Sequence, residues 1–301
     1  MRVMVILNPC ADLGRGVQQK KLIETEGEKW NGLDLIMTDR PGQAGELAYL
    51  AAEEGYEVVV AAGGDGTVHE VVNGLMQAKS FGAKLGVIPV GTGNDFAHGL
   101  DISKDIPLAV ERIFQGQYRS IDLAAVMDDR GIGRLFTNNL GIGFDANVVI
   151  RVKAITRLHG FPRYFWGVLK TLALDFRPFQ CDMRFDDETL SEDVLFVAFG
   201  LGPRHGGGFM LTPNARQDDN LIDTCTARPM KRLMALLLLN SAVHGTHIHK
   251  SQVTMRQNRQ IEISSKTSLP VHIDGEVFAY PHDDVHRLTI SSVPAAIEVL
   301  V

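Results

Sequence analysis

The sequence predicts two domains: an α/β domain whose mostly parallel sheet carries helices on both faces, followed by a mainly antiparallel β-sandwich domain. Two observations predict this. Strand and helix signals alternate up to about residue 120, and beyond Asp122 strands follow one another with few helices between them. There is no internal repeat and no low-complexity tract, and the change near 120–125 has no Gly/Ser linker. The expected boundaries are 1–123 and 124–293.

Val3–Leu7 is a short apolar run ending at Asn8-Pro9, and a charge-rich helical stretch follows over 17–30. A second strand at 33–37 leads to a helix at 44–54. The third strand, 58–62, is wholly apolar and runs straight into Gly63-Gly64-Asp65-Gly66-Thr67, with a helix over 68–78 and a fourth strand at 85–89. Fully apolar strands separated by helices belong to a parallel sheet buried on both sides. In the second part, strands are expected at 123–127, 135–140, 181–185, 194–200, 222–227, 260–264, 270–273 and 287–291. Two helical stretches interrupt them, near 146–175 and 230–243.

Composition excludes several classes. A net charge of −6 argues against broad nucleic-acid binding, which calls for a basic surface. Cys10, Cys181 and Cys225 form no CxxC pair and read as free thiols of a reducing compartment. The early apolar run is too short for a signal peptide, and the longest apolar stretch, around 233–243, is too short to span a bilayer. A cytoplasmic location is therefore expected. His244, His247 and His249 lack the spacing of a usual zinc set, with no cysteine beside them in the sequence.

The chemistry concentrates in four places. Glycines at the end of a strand let the backbone approach a ligand, and their N–H groups together with a helix N-terminus make an anion site. Gly63, Gly64, Asp65, Gly66 and Thr67 fit that description, and so does the loop Gly91-Thr92-Gly93-Asn94-Asp95 after the fourth strand. In an open α/β sheet, ligands bind outside the C-terminal strand ends, so the two loops together point to a nucleotide phosphate site. No P-loop motif occurs, and Gly141-Ile142-Gly143 lacks the βαβ context of a dinucleotide fingerprint. Asp218-Asp219 suits a hard cation such as Mg²⁺, or else a solvated turn. Asp274 and Glu276 stand at i and i+2, which on an extended chain turns both carboxylates toward one cleft. A hairpin turn with two exposed acids is the alternative.

Taken in order, Asn8-Pro9, GGDGTVHEVVNGL, VIPVGTGNDFAHGL, the Ile121-Asp122-Leu123 turn, FTNNLGIGFDANV, GGGFMLTPNARQDDNLID and HIDGEVF cover nearly the whole chain. This set resembles the diacylglycerol kinase catalytic-domain family, which includes bacterial soluble lipid kinases and the related sphingosine and ceramide kinases. The resemblance implies an ATP- and Mg²⁺-dependent kinase acting on a lipid hydroxyl, most plausibly that of diacylglycerol. It also implies that the closing segment 294–301 returns to the first domain. On the matching positions, Asn8, Thr38, Gly64 to Thr67, Glu70 and Thr92 would contact ATP. Asp219, with the carbonyls of Arg216 and Leu221, would hold Mg²⁺, and Asp65, Asp95 and Asp122 would form an acidic network toward it. Glu276, with Asp274 beside it, would be the general base. Three positions depart from the family pattern: Asn220 where an Asp-Gly pair is usual, Gly200 where Asn is expected, and Phe278-Ala279 in place of a glycine-containing stretch. The rival readings are an NAD kinase-like enzyme, which shares the GGDG turn, and a catalytically silent lipid- or nucleotide-binding protein.

One segment suggests how a lipid would be reached. From 146 to 174 there is no acidic residue, while Arg151, Lys153, Arg157, Arg163 and Lys170 are interleaved with Phe161, Tyr164, Phe165 and Trp166. That pattern suits a helix lying transiently on an anionic bilayer, or equally a core helix with a solvated basic face. An edge strand pairing two copies into a homodimer is the remaining partner expectation.

Overall fold

The computed structural model describes residues 1–301 apart from 31, 80, 81, 156, 157, 159 and 187, and the side chain at 13 is likewise left out. The chain forms two compact units, Met1–Ile121 with Ala295–Val301, and Asp122–Pro294.

The first unit runs β1 (Val3–Leu7), α1 (Ala11–Gly14), α2 (Gly16–Glu28), β2 (Asp34–Met37), α3 (Gln43–Glu53), β3 (Val58–Gly63), α4 (Asp65–Gln77), β4 (Lys84–Pro89), α5 (Asp95–Gly99) and α6 (Ile106–Gln115). Its strands lie in the order β2-β1-β3-β4, all parallel. Every residue of β3 is buried, as its uninterrupted apolar run requires. The helical stretch expected over 17–30 is α2; a short additional helix, α1, precedes it and ends where Gly14 takes a φ of +85°. Helix α6 was not foreseen, although its signals are present: Asp105 accepts from the Leu108 amide as N-cap, Pro107 sits in the first turn, and Gly116 ends the helix in the left-handed region.

In the second unit come β5 (Tyr118–Asp128, whose first residues belong to unit one), β6 (Gly133–Phe136), β7 (Asn139–Gly143), α7 (Phe144–Lys153), α8 (Gly160–Leu174), β8 (Phe179–Arg184), β9 (Thr189–Val194) and β10 (Phe196–Gly200). Then follow β11 (Ile222–Ala227), α9 (Arg232–Val243), β12 (Val253–Asn258), β13 (Gln260–Ser264), β14 (Val271–Ile273), β15 (Glu276–Ala279) and β16 (Arg287–Leu300). One sheet is antiparallel throughout in the order β12-β11-β10-β7-β14-β15. The other pairs β16, β13, β8 and β9, with β5 and β6 alongside. Phe136, Leu140, Phe199, Met183, Ile261 and Leu288 fill one buried core drawn from both sheets, which is the predicted sandwich. The last residues of β16 leave this unit and join the first, where Val299 pairs in parallel with Leu85 of β4.

Two expectations need correction here. The strand expected at 135–140 is two strands, because the backbone at Thr137-Asn138 leaves the ladder to bond Asp274. The helical stretch near 146–175 is two helices, α7 and α8. Among the described residues no helix is long and apolar enough to cross a membrane.

Candidate active site

In the first unit the C-terminal strand ends are flush. Leu7 of β1 sits opposite Met37 of β2 and Ala62 of β3, and Gly63 sits opposite Pro89 of β4. The residues just past those ends therefore form a crest in the order Thr38, Asn8, Gly63-Gly64, Gly91. Asn8 is fixed there by three contacts: its amide donates to the Ala62 carbonyl (2.9 Å), its Oδ1 accepts from the Cys10 amide (2.9 Å), and its Nδ2 donates to Thr67 Oγ1 (3.1 Å). Thr38 is tied by its amide to the Leu7 carbonyl at 3.0 Å.

The two glycine loops touch. Both the Val90 and Gly91 amides donate to the Gly63 carbonyl, at 3.0 and 3.1 Å. A Cβ on Gly91 would lie 2.4 Å from Gly64 Cα, and one on Gly63 would lie 2.3 Å from Thr67 Oγ1, so no larger residue fits at either place. The Thr67 and Val68 amides are spent on the Gly64 carbonyl. Those of Asp65 and Gly66 open α4 before any carbonyl of that helix can reach them, and so point out of its positive end. Asn94 takes a φ of +54° and donates from Nδ2 to the Gly91 carbonyl at 2.7 Å, turning the chain into α5. Asp65 Oδ1 accepts from the Phe96 amide at 3.0 Å, so the acid of the first loop holds the helix start of the second. Asp95 is buried beside it in sequence, while Thr92 is exposed.

Glu70 lies on α4. Its two carboxylate oxygens accept from the Gly42 and Ala44 amides at 2.9 and 3.1 Å. In this structure the Glu70 carboxylate caps the start of α3, where it meets the orphan amides and the helix dipole.

Asp122 opens the second unit and reaches the loop 216–221. Its amide donates to the Gln217 carbonyl at 2.7 Å, and its Oδ2 accepts from the Asn220 amide at 2.5 Å. Asp219 Oδ1 accepts from the Leu221 amide at 3.0 Å, while Asp218 is drawn outward into an ion pair with Arg216 at 3.1 Å. Asn220 has a φ of +60°, a conformation that glycine adopts freely and Asn tolerates best among the others, and its Oδ1 accepts from Ser292 Oγ. That explains why Asn stands where the family pattern has Asp-Gly. At Gly200, the second departure, a Cβ would lie 2.0 Å from Thr212 Oγ1.

Among the described residues no group of three His, Cys, Asp or Glu side chains could hold a metal by itself. The loop nevertheless suits Mg²⁺ on its chemistry, since that ion is commonly bound through one or two carboxylates plus waters. Asp219 on the loop and Asp122, reaching it from β5, supply hard oxygen donors. Burial, with Asp219 adding its negative charge, pushes the neighbouring Asp223 up to about 6, although a hydrogen bond from Gln257 favours its ionised form.

The Asp274-Gly275-Glu276 segment is a hairpin turn between β14 and β15, with φ of +49° at Asp274 and +81° at Gly275. The expectation that both carboxylates face one side of an extended chain is therefore wrong, and the two acids have opposite environments. Asp274 is buried, and its oxygens accept from the Thr137 amide (2.8 Å), Thr137 Oγ1 (3.0 Å), the Asn138 amide (2.9 Å) and the Asn139 amide (2.8 Å). These occupy the roughly four lone-pair positions of a carboxylate. Glu276 is half exposed and forms an ion pair with Lys153 of α7 at 2.6 Å. Of this pair, Glu276 is the acid available to a ligand.

Sequence reasoning missed a further set of residues. Helices α7, α8 and α9 pack over the outer face of the all-antiparallel sheet and enclose an apolar cavity of about 70 Å³. Val148, Val168, Leu172, Leu195, Leu238 and Leu239 are among its walls, and its few polar groups are Asp145, Tyr164, His205 and His247. Asp145 Oδ2 meets His272 Nε2 at 3.0 Å. Burial alone would raise that carboxyl, yet the adjacent His272 holds it below the usual range. His205 is bonded through Nε2 to Thr212 Oγ1 at 3.0 Å, and its Nδ1 is buried without a hydrogen-bond partner among the described residues. His247 lies 3.8 Å from Cys225 Sγ, so a cysteine is close in space though not in sequence. A GxGFDA string leading into a helix was the available signal for Asp145.

The comparisons agree on one family. The profile of the diacylglycerol kinase catalytic domain matches residues 2–126, and that of the YegS C-terminal NAD kinase beta sandwich-like domain matches 138–301. A diacylglycerol kinase of Mycobacterium tuberculosis is 31% identical over 276 residues, covering 90% of this chain and 86% of its own. One from Staphylococcus saprophyticus is 29% identical, with coverages of 91% and 88%. A crystal structure of a diacylglycerol kinase from Bacillus anthracis superposes with a TM-score of 0.69 over 99% of this chain and 96% of that one. Its 19% identity makes this a likeness of fold.

Proposed function

The chain belongs to the diacylglycerol kinase catalytic-domain family and is a lipid kinase, and from that premise we propose that it transfers the γ-phosphoryl group of ATP to the free hydroxyl of diacylglycerol, with Mg²⁺. The observation that carries the acceptor is the cavity under α7, α8 and α9. It is almost wholly apolar and provided with a few polar groups that would orient a glycerol backbone. A soluble dinucleotide acceptor, the alternative that shares the GGDG turn, has no use for such a cavity.

Phosphoryl transfer asks a protein mainly to position groups and to offset charge. The amides at the start of α4 and the tightly packed Gly63-Gly64 and Gly91 loops suit the triphosphate, with Asn8, Thr38 and Thr92 bordering it on the same crest. Asn94 and Asp95 shape the second loop, and Asp65 locks it to the first. Asp122 and Asp219, with the carbonyls of Arg216 and Leu221, would hold Mg²⁺, which when bound offsets phosphate charge. Glu276 is the general base, held by Lys153 until it takes the hydroxyl proton. Asp274 is its positioning residue, because the four bonds it accepts fix the hairpin from which Glu276 projects.

The test is transfer of labelled phosphate from ATP to diacylglycerol, phosphatidylglycerol, ceramide and a sphingoid base in mixed micelles, with NAD as the soluble control. Label on diacylglycerol that is absent in Glu276→Gln supports the reading. Label on NAD alone, or on another lipid in preference, overturns the acceptor.

A further inference from the structure

The polar groups of the apolar cavity have a definite hydrogen-bonding sense. His205 lines it, is 2% exposed, and has its ring proton fixed by its neighbours. Thr212 Oγ1 spends its hydrogen on the Gly202 carbonyl at 2.8 Å, since a carbonyl can only accept. The 3.0 Å bond between His205 Nε2 and the same Oγ1 must then run from nitrogen to oxygen. A neutral imidazole has one N–H, so His205 Nδ1 is a lone pair, buried with no hydrogen-bond partner among the described residues. Burial pushes this ring down to about 4, which keeps it neutral near pH 7. His247 repeats the pattern. Its Nε2 meets the Leu211 carbonyl at 3.1 Å and must donate, which leaves its own buried Nδ1 an acceptor. Asp145 on the same wall accepts from His272, and Tyr164 is already engaged with a neighbour. Phe161 and Tyr164, set among the basic residues of 146–174 in the sequence, pack inward on Phe209 of the cavity wall. Arg157 of that stretch lies outside the described residues.

The loop of His205 is tied to the hairpin that carries Glu276. Asn138 makes the tie: its amide donates to Asp274 Oδ1 at 2.9 Å, and its Nδ2 donates to the carbonyl of Arg204, the residue before His205, at 2.8 Å. His272, two residues before Asp274, ties Asp145 to the same hairpin at 3.0 Å. A lipid with its hydroxyl at Glu276 brings its ester carbonyls to this polar wall, and an ester carbonyl cannot donate. A lone pair set against a lone pair repels, and a buried acceptor without a donor costs affinity. Water has the two O–H groups that join two acceptors. The cavity, at about 70 Å³, exceeds the roughly 10–15 Å³ that one water needs.

We propose that His205 is a specificity-determining residue: its Nδ1 holds a water whose second O–H meets an ester carbonyl of the acceptor lipid. An ether-linked chain has no carbonyl to receive that bond, so the site favours ester-linked over ether-linked chains. The inference rests on the reading of diacylglycerol as the acceptor and adds how its backbone is recognised.

Two measurements test it. The first is the ¹⁵N spectrum of the imidazole side chains in the full chain without lipid or ATP, with His205→Gln assigning the resonance. A neutral ring protonated at Nε2 supports the proposal, and protonation at Nδ1 overturns it. The second is kcat/KM for diacylglycerol against its dialkyl ether counterpart in mixed micelles. Wild type should favour the ester about fivefold, the worth of one neutral hydrogen bond. His205→Gln, whose amide N–H still reaches toward Thr212 but which has no acceptor at the place of Nδ1, should bring the ratio close to one. His205→Asn, whose Oδ1 stands at that place, should keep most of it. Each ratio is taken on one preparation, so a loss of folded enzyme cancels. Equal rates on ester and ether in wild type overturn the proposal, as does an undiminished preference in His205→Gln. Diacylglycerol that takes no label overturns the acceptor reading itself, whereas labelled diacylglycerol without an ester preference overturns this inference alone.

Discussion

Asp274→Asn separates the two acids of the hairpin. The native carboxylate accepts four hydrogen bonds at 2.8–3.0 Å while almost completely buried. An amide keeps one oxygen. If that oxygen stays on the Asn138 and Asn139 amides, the new NH₂ faces the Thr137 amide and hydroxyl. The hydroxyl can rotate to accept, but the Thr137 amide is stranded at about 1–3 kcal/mol. The surviving bonds also lose their charge assistance, roughly 1 kcal/mol each. Backbone strain does not change, because Asn tolerates the +49° φ as well as Asp does. The sum is about 4 kcal/mol. With an m-value of about 2 kcal/mol/M, the urea midpoint should fall by about 2 M. Trp166 fluorescence in a Trp30→Phe background reports this for the second unit alone, since Trp30 belongs to the first. Glu276→Gln should do the opposite. Its side chain is half exposed and in a single surface ion pair, so the midpoint should hold within about 0.5 kcal/mol, while kcat falls about 10²–10⁴-fold at an unchanged KM for ATP. An unshifted midpoint in Asp274→Asn with turnover abolished, alongside normal turnover in Glu276→Gln, would refute the division of roles and make Asp274 the base.

Three further outcomes follow from the same geometry. Gly91→Ala forces a Cβ to within 2.4 Å of Gly64 Cα, so the loops must part; the KM for ATP should rise and stability should drop by about 1–3 kcal/mol, read by initial rates and urea melting. Ala235→Phe fills the cavity and should lower kcat/KM for long-chain diacylglycerol far more than the KM for ATP. Burial, opposed in part by Asp145, pushes His205 from 6.5 down to about 4, so the unfolded chain binds this proton more readily than the folded one. That stabilisation is complete above pH 6.5 and is lost as pH falls toward 4, by about 3 kcal/mol in all, and the pH slope of the urea midpoint should flatten by that amount in His205→Gln.

The two glycine loops are legible in the sequence, because their signals are local. Apolar strands announce themselves by composition, and a glycine-rich turn between such a strand and a helix has few other uses. The hairpin at Asp274 was not legible in the same way. Its i, i+2 spacing is equally good for an extended strand, and only the pairing of Ile273 with Glu276 decides for the turn. The partners of Glu70 show the same limit: it lies on α4, close in sequence to the first glycine loop, but Gly42 and Ala44 come from a different βα unit.

By itself the sequence determined the two fold classes, the family, the reaction class and the strand ends at which the glycine loops sit. These depend on residue type and on spacings shorter than about 20 positions. The tertiary structure alone decided which acid is buried and which is open, that Lys153 holds Glu276 across 123 positions, and that Asp122 reaches the amide of Asn220 across 98. It also decided that α7, α8 and α9 enclose a cavity while leaving leucines outside it. The physical reason is that a carboxylate's role follows from its desolvation and its donors, and in this fold those donors arrive from distant strands that no local pattern encodes.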